Sequence, residues 1–250
     1  MPELSLKSDY RQRLYDRWIS LKNCGGAVAF SEKDYQKWAN YVKAKTNGWL
    51  PGDRRTPILD MGCGPGFLLY ALDQFGYTDL TGVDLSLEQV TVARQWCSHA
   101  KIIQGDAREV LAQNPGRFGL IAGFDFIEHF RKEEILPLLT LVAQGLMKGG
   151  RVILQTPNAE SPWAGSVTYG DFSHEWFFTP PSLAQVLGHA GLQGFEARPG
   201  GPLIHGFKGL TRALIWQAIN LTTALVNLAE TGRRGSGIYT RVFLATAIKP

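Results

Sequence analysis

A chain of 250 residues is long enough for one α/β domain with additions and for a large buried core. Its 26 Lys and Arg against 22 Asp and Glu leave a net charge of +4, too small and too dispersed to indicate a nucleic-acid partner. Three cysteines, Cys24, Cys63 and Cys97, show neither CxxC spacing nor an even count, so they suggest neither a disulfide framework nor a thiolate metal site.

Residues 1–7 lack a continuous apolar stretch, and no uncharged apolar run of about 18 residues occurs anywhere. A cytoplasmic protein with at most peripheral membrane contact is expected. Residues 8–22 have a helical pattern that includes Tyr15, Trp18, Ile19 and Leu21, interrupted by Cys24-Gly25-Gly26. A second helix starts at Ser31, where Ser31 and Asp34 have capping-box spacing, and carries Tyr35, Trp38, Tyr41 and Val42 on one face. These helices read as an N-terminal cap over the sheet's edge, residues 1–50, ahead of the main domain at 51–250.

From residue 58 strands and helices alternate. Strand 58–61 leads to helix 66–75, strand 79–83 to helix 87–97, and strand 101–104 to a short helix at 108–113. Strand 119–124 leads to helix 132–147, with a C-cap signal at Lys148-Gly149-Gly150, and 151–156 is the fifth strand. Repeated βα units with short loops predict a doubly wound α/β architecture around a mostly parallel sheet, with right-handed crossovers.

Beyond Pro157 the pattern changes. Residues 158–179 read as a long loop, followed by a helix at 181–190 closed by Gly191 and a short strand at 193–198. A long inserted helix at 207–229 carries the stripe Leu210, Leu214, Ala218, Leu221, Leu225 and Leu228. It is expected to pack on the domain or on a partner subunit, covering the acceptor cleft; a membrane-surface role is the alternative, and a homodimer is left open. The last strand, 238–248, is expected to join the sheet antiparallel.

The first strand ends in Asp60-Met61-Gly62-Cys63-Gly64-Pro65-Gly66. Glycines at such a crossing admit a sharp turn and a ligand close to backbone N–H groups, and Cys63 reads as a small packing residue. The spacing is not G-x-G-x-x-G, so the dinucleotide fingerprint is absent and an NAD oxidoreductase is disfavoured. Instead Asp-x-Gly-x-Gly-x-Gly after a strand resembles the first motif of class I S-adenosylmethionine-dependent methyltransferases. Further stations agree in order: Gly82-Val83-Asp84-Leu85-Ser86, Gln104-Gly105-Asp106-Ala107, Asp125-Phe126-Ile127-Glu128-His129 and Lys148-Gly149-Gly150-Arg151. Residues 155–162, Tyr169-Gly170-Asp171-Phe172-Ser173-His174-Glu175 and Phe178-Thr179-Pro180 are similar to bacterial methyltransferases associated with surface-polysaccharide or lipopolysaccharide biosynthesis.

The resemblance implies a Rossmann-like, seven-stranded sheet with an antiparallel last strand, S-adenosylmethionine as cofactor and S-adenosylhomocysteine as product. It assigns Asp60, Gly62, Gly64 and Gly66 to the methionine part, Asp84 and Leu85 to the ribose, and Asp106 and Ala107 to the adenine, with Asp125 also at the cofactor. An alcohol acceptor needs a general base, and His129, just past the fourth strand, is the candidate, with His174 as the rival or orienting group. The implied activity is O-methylation of a sugar or glycan precursor. The alternatives are a quinone-like phenol or another small metabolite, N-methylation included, and a non-catalytic cofactor-binding scaffold. No metal is expected; were one present, Asp125, Glu128 and His129 would be its ligands.

Overall fold

The computed structural model describes residues 10–15, 17, 30–203 and 206–250. Trp18, Ile19, Leu21 and the Cys24-Gly25-Gly26 turn therefore lie outside the described residues. Helix α1 spans Tyr10–Tyr15 and α2 Glu32–Lys45. At the start of α2 the Asp34 carboxylate accepts from the Ser31 N–H at 3.0 Å, half of the expected capping box.

The alternating series follows as read. It runs β1 Ile58–Met61, α3 Phe67–Gln74, β2 Leu80–Asp84, α4 Leu87–Trp96, β3 Lys101–Gln104 and α5 Ala107–Ala112. It continues with β4 Phe118–Phe124, a 3-10 turn Ile127–His129, α6 Lys132–Gly145 and β5 Leu146–Pro157. The remainder is α7 Ala164–Thr168, α8 Pro180–His189, β6 Gln193–Pro199, α9 Gly206–Thr231 and β7 Val242–Ile248.

The seven strands form one sheet in the order β3-β2-β1-β4-β5-β7-β6. All pairings from β3 to β5 are parallel, and β7 is antiparallel to both of its neighbours. The Rossmann-like reading with an antiparallel last strand holds. The order reverses between β1 and β4, and such a switch point opens a crevice beyond the strands' carboxyl ends.

Successive strand residues point to opposite faces, which divides the core in two. Leu59, Ile121, Leu154 and Phe243 pack with α5, α6 and α8. Their neighbours Ile58, Leu120, Ile153 and Leu244 pack on the other face with Ala39 and Val42 of α2 and Leu68, Leu69 and Leu72 of α3. Helix α2 thus covers a face of the sheet and not its edge. Its apolar positions share one core cluster with Ile153 of β5 and Leu244 of β7, and Tyr41 reaches Gln155 of β5 at 2.6 Å.

Three further expectations are corrected. Helix α6 ends at Gly145, where Gly145 fits against Leu111 and Ile121, and the Gly149-Gly150 turn belongs to β5. There Gly149, at φ 75°, lets the strand shift register so that Phe118 faces Leu146 and Leu120 faces Arg151. The long loop contains α7, and Asn158 anchors its start by donating to the carbonyls of Ile238 and Thr240. That engagement holds residues 238–241 outside the last strand, which begins at Val242. Finally, the leucine stripe of α9 faces solvent and not the domain; Gly209 and Ala213 are the buried residues of this helix.

Tyr35 joins α2 to the glycine turn. It is fully buried, stacks on Trp96 with centroids 4.3 Å apart, and donates its hydroxyl to the Pro65 carbonyl at 2.7 Å. Tyr35→Ala should cost about 3–5 kcal/mol of unfolding free energy and Tyr35→Phe about 1 kcal/mol, both read from urea denaturation.

Candidate functional site

At the switch point lies a cavity of about 730 Å³. It is lined by the segments after β1 (Gly62 to Pro65), β2 (Asp84 to Ser86), β3 (Gly105 to Arg108) and β4 (Asp125 and Phe126, then Glu128 to Phe130). Arg11 and Tyr15 of α1 and Ser166, Val167, Gly170, Asp171 and His174 of the long loop complete it. Of the residues singled out in the sequence, Asp60, Gly62, Gly64, Asp84, Leu85, Asp106, Ala107, Asp125, His129 and His174 all line this one space.

Gly66 does not. It is the N-cap of α3 at φ 89°, and a Cβ there would stand 2.6 Å from the Cys97 sulfur. Gly66 therefore serves the close approach of α3 to α4. Gly62 (φ 64°) has a related constraint, since a Cβ would meet the Phe126 ring at 2.5 Å. A Cβ on Gly64 (φ 52°) would find nothing nearer than 3.9 Å, so this position opens toward the cavity. Cys63 is buried, and burial followed by the charges of Asp60 and Asp84 pushes its thiol pKa well up, as suits a packing residue.

Asp84 ties two strand tips together: one carboxylate oxygen accepts from the Gly64 N–H at 2.9 Å and the other from the Ser86 N–H at 2.8 Å. Each oxygen keeps a further lone-pair direction. Burial raises the Asp84 pKa against the opposing effect of these two bonds. Asp60 is buried behind it, its pKa raised well above the ordinary range by desolvation and then by Asp84.

Asp106 caps α5 by accepting from the Arg108 N–H at 2.8 Å, and its carboxylate also takes the Arg108 guanidinium, with one contact at 2.6 Å. Much of its acceptor capacity is thus used inside the protein. Asp125 sits at φ 52°, the one positive-φ residue other than glycine among the described residues. The Gln155 amide holds its carboxylate at 3.0 and 3.1 Å, and Tyr41 in turn donates to Gln155 at 2.6 Å. Backbone in this region at a site edge is held by its surroundings, here by that side-chain relay.

Glu128 is fully buried. One oxygen accepts from Thr156 at 3.1 Å, and the other, Oε1, has no hydrogen-bond partner among the described residues. Burial first, then the charge of Asp125, raises its pKa well above the ordinary value. His129 follows it. The Ser173 hydroxyl donates to Asp171 at 2.6 Å and lies 2.9 Å from His129 Nδ1. Because that hydroxyl's one proton goes to Asp171, the second contact needs an N–H on Nδ1, which leaves the neutral ring's lone pair on Nε2. The His174 ring stands 5.0 Å from the His129 ring.

Glu128, His129 and His174 each offer a ligand atom, all within 4.8 Å of one another. The Asp125, Glu128 and His129 set is therefore not the one brought together; Asp125 is held by Gln155 instead.

Several residues on the lining or just behind it were not singled out. Arg11 donates two bonds to Glu134, at 2.7 and 3.1 Å, and one to the His129 carbonyl at 3.2 Å, across more than a hundred positions. No local pattern announces such a pair. Asp171 and Ser173 do carry a signal, the Asp-x-Ser spacing of an Asx turn, closed here by the Ser173 N–H at 3.0 Å.

With this geometry the relatives can be weighed. A family model described as a methyltransferase domain matches residues 9–197. The chain belongs to the methyltransferase-domain family. Solved structures share its fold at low identity. A SAM-dependent methyltransferase from Archaeoglobus fulgidus is 18% identical, with a TM-score of 0.63, covering 87% of this chain and 97% of that one. A possible histamine N-methyltransferase from Thermotoga maritima is 14% identical, with a TM-score of 0.60 and coverage of 96% and 100%. Phosphoethanolamine N-methyltransferase 2 of Haemonchus contortus, in complex with S-adenosylhomocysteine, is 17% identical, with a TM-score of 0.62, covering 97% of this chain and 60% of that one. No curated protein matches significantly in sequence.

The raised pKa of Glu128 gives a pH prediction for the methyltransferase. A carboxyl whose folded pKa lies above its unfolded value destabilises the fold increasingly as pH rises from the ordinary carboxylate range through the folded value. Glu128→Gln should raise the thermal midpoint of the ligand-free protein by about 2–8 °C near pH 8, as roughly 1–2 kcal/mol does in a chain of this size. The gain should shrink as pH falls through the ordinary carboxylate range and vanish below about pH 4, where the wild-type carboxyl is protonated in both states. Melting curves of both proteins across that range provide the check.

Proposed function

We propose that this chain is an S-adenosylmethionine-dependent methyltransferase whose acceptor is a hydroxyl of a sugar or glycan precursor. The observation that carries the cofactor assignment is the set of three sequestered carboxylates, Asp60, Asp84 and Glu128, facing one cavity with raised pKa values. Such a site gains from a cationic ligand, and this cofactor carries a sulfonium and an ammonium group. When bound, it supplies a methyl group on a positively charged sulfur that leaves as a neutral thioether.

The residues fit. The open turn at Gly62 and Gly64 and the carboxylate of Asp60 would receive the methionine part. Asp84, already oriented by two backbone N–H groups, would take the ribose hydroxyls, with Leu85 beside it. Asp106 and Ala107 would border the adenine, and Asp125 the remaining edge. The fixed network of Arg108, Glu134 and Arg11 keeps the rim in place, which favours alignment, the main contribution available to a transfer between preactivated groups.

For the acceptor, His129 is the general base. Asp171 and Ser173 hold the proton on Nδ1, so Nε2 receives the acceptor's hydroxyl proton, and the Asp171 charge stabilises the resulting imidazolium. His174, also on the lining, orients the acceptor. The similarity of residues 155–180 to glycan-associated methyltransferases supports a sugar or glycan acceptor. A second reading, N-methylation of an amine, draws on the same acid-rich wall, because Glu128 and Asp171 would also attract a cationic acceptor.

Calorimetry with S-adenosylmethionine tests the cofactor: Asp84→Ala should weaken binding at least about 100-fold, since it also strands two backbone donors. His129→Ala should leave that binding intact and lower turnover by about 10²–10⁴-fold. Normal turnover in His129→Ala would remove the base assignment. Mass spectrometry for the gain of one methyl across sugar-nucleotide, lipid-linked glycan and amine acceptors separates the two readings, and binding of NADH without S-adenosylmethionine would overturn both.

A further inference from the structure

Helix α9 is 26 residues long, about 39 Å at the α-helical rise, and turns an apolar strip to solvent. Phe207, Leu214, Leu221 and Leu225 fall on one face of its 3.6-residue period and are 84%, 57%, 63% and 55% exposed. The opposite side lies on the protein through the small residues Gly209 and Ala213, and Trp216 meets Trp163 with ring centroids 5.7 Å apart. An exposed apolar strip of this length marks an interaction surface.

The charges around the strip identify what it meets. Lys208 and Arg212 stand near its amino end on the side turned away from the strip, and Arg233 and Arg234 follow its carboxyl end, all four exposed, while Glu230 is the one acid between residues 206 and 241. A second copy is a poor occupant. Antiparallel pairing sets Lys208 and Arg212 against the other copy's Arg233 and Arg234, and parallel pairing sets each basic end against itself. A strip roughly 10 Å wide would also bury only about 800 Å² in total, less than specific interfaces do. No helix among the described residues is long and apolar enough to cross a membrane. An anionic bilayer surface suits this strip, taking the leucines into the headgroup boundary while Arg233 and Arg234, just beyond the helix, meet lipid phosphates.

We infer that α9 docks this protein, apolar strip inward, on the surface of an anionic lipid bilayer. The helix lies wholly beyond the stretch matched by the family model. Trp163 precedes α7, whose Ser166 and Val167 line the cavity. Docking therefore brings the cavity's loop side to within one short helix of the lipid.

Co-sedimentation of the full chain with vesicles tests this without any acceptor or cofactor. Binding to mixed phosphatidylglycerol and phosphatidylcholine vesicles should exceed binding to phosphatidylcholine alone by at least about tenfold, and should fall as salt is raised. Leu214→Glu combined with Leu221→Glu should abolish it while the circular-dichroism melting curve stays unchanged, because both side chains are exposed. Arg233→Glu with Arg234→Glu should remove the preference for the anionic vesicles. Absence of binding to either vesicle, or binding that survives the two leucine substitutions, overturns the proposal. So does a dimer in analytical ultracentrifugation that Leu214→Glu dissolves, since the strip would then be a self-association surface.

Discussion

The carboxylate of Asp84 is the tie on which the site depends. With one oxygen on the Gly64 N–H and the other on the Ser86 N–H, it fixes the turn after β1 against the turn after β2. The glycine turn can adopt the shape that offers that N–H only because Gly62, Gly64 and Gly66 all take positive φ. Each glycine then meets a different neighbour: Phe126 over Gly62, open space before Gly64, and the α4 packing against Gly66. One residue type thus answers three constraints, and only at Gly64 does the space beside it stay open.

The second organising influence is charge held out of water. Asp60 and Glu128 sit where burial disfavours their ionised forms, whereas Glu134 is held below the usual carboxylate range, first by its hydrogen bonds with Arg11. The two kinds of acid divide the labour. Glu134, Asp106, Arg108 and Arg11 neutralise one another and form a fixed rim that joins α1 to the β3 and β4 loops. Among the described residues Asp60, Asp84 and Glu128 have no cationic side chain as a hydrogen-bond partner, so a cationic ligand would favour their ionised forms. A fold that spends arginines at the rim and none beneath it has kept its electrostatic potential for whatever enters.

What the sequence revealed follows from the range of the interactions involved. The strands from β1 to β4 were legible to within about two residues because apolar runs and glycine punctuation act locally. These lining residues of the cavity were legible for the same reason: Asp60, Gly62, Gly64, Asp84 and Asp106 stand at or next to strand ends. Gly66 shows where that reading stops, because a glycine needed for helix packing looks like one needed for a ligand until Cys97 is seen beside it. Asp106 shows a related ambiguity, since a residue placed to accept a hydrogen bond can be taken by its own neighbour Arg108. Arg11 with Glu134, Gln155 with Asp125, and Ser173 with His129 join segments far apart in the chain, and no spacing rule reaches that far. The α9 stripe was visible as a period; which way it faced was not, because periodicity defines a face and leaves its partner open.

This division by range also explains why the two ends of the cavity differ in kind. The end at Gly62 to Ser86 is built from main-chain groups and short strand-end loops, so any chain that closes this sheet order can reproduce it. The other end is assembled from side chains of α1, the β4 loop, β5 and the long loop, joined by Arg11, Gln155, Ser173 and Asp171. Changing one of these alters the wall facing His129 and His174 without disturbing the Asp84 tie. The wall facing His129 and His174 can therefore change while the end at Gly62 to Ser86 stays constant. The Trp163–Trp216 contact extends that variable wall to α9. Helix α9 and the loop wall of the cavity are thereby parts of one continuous structure.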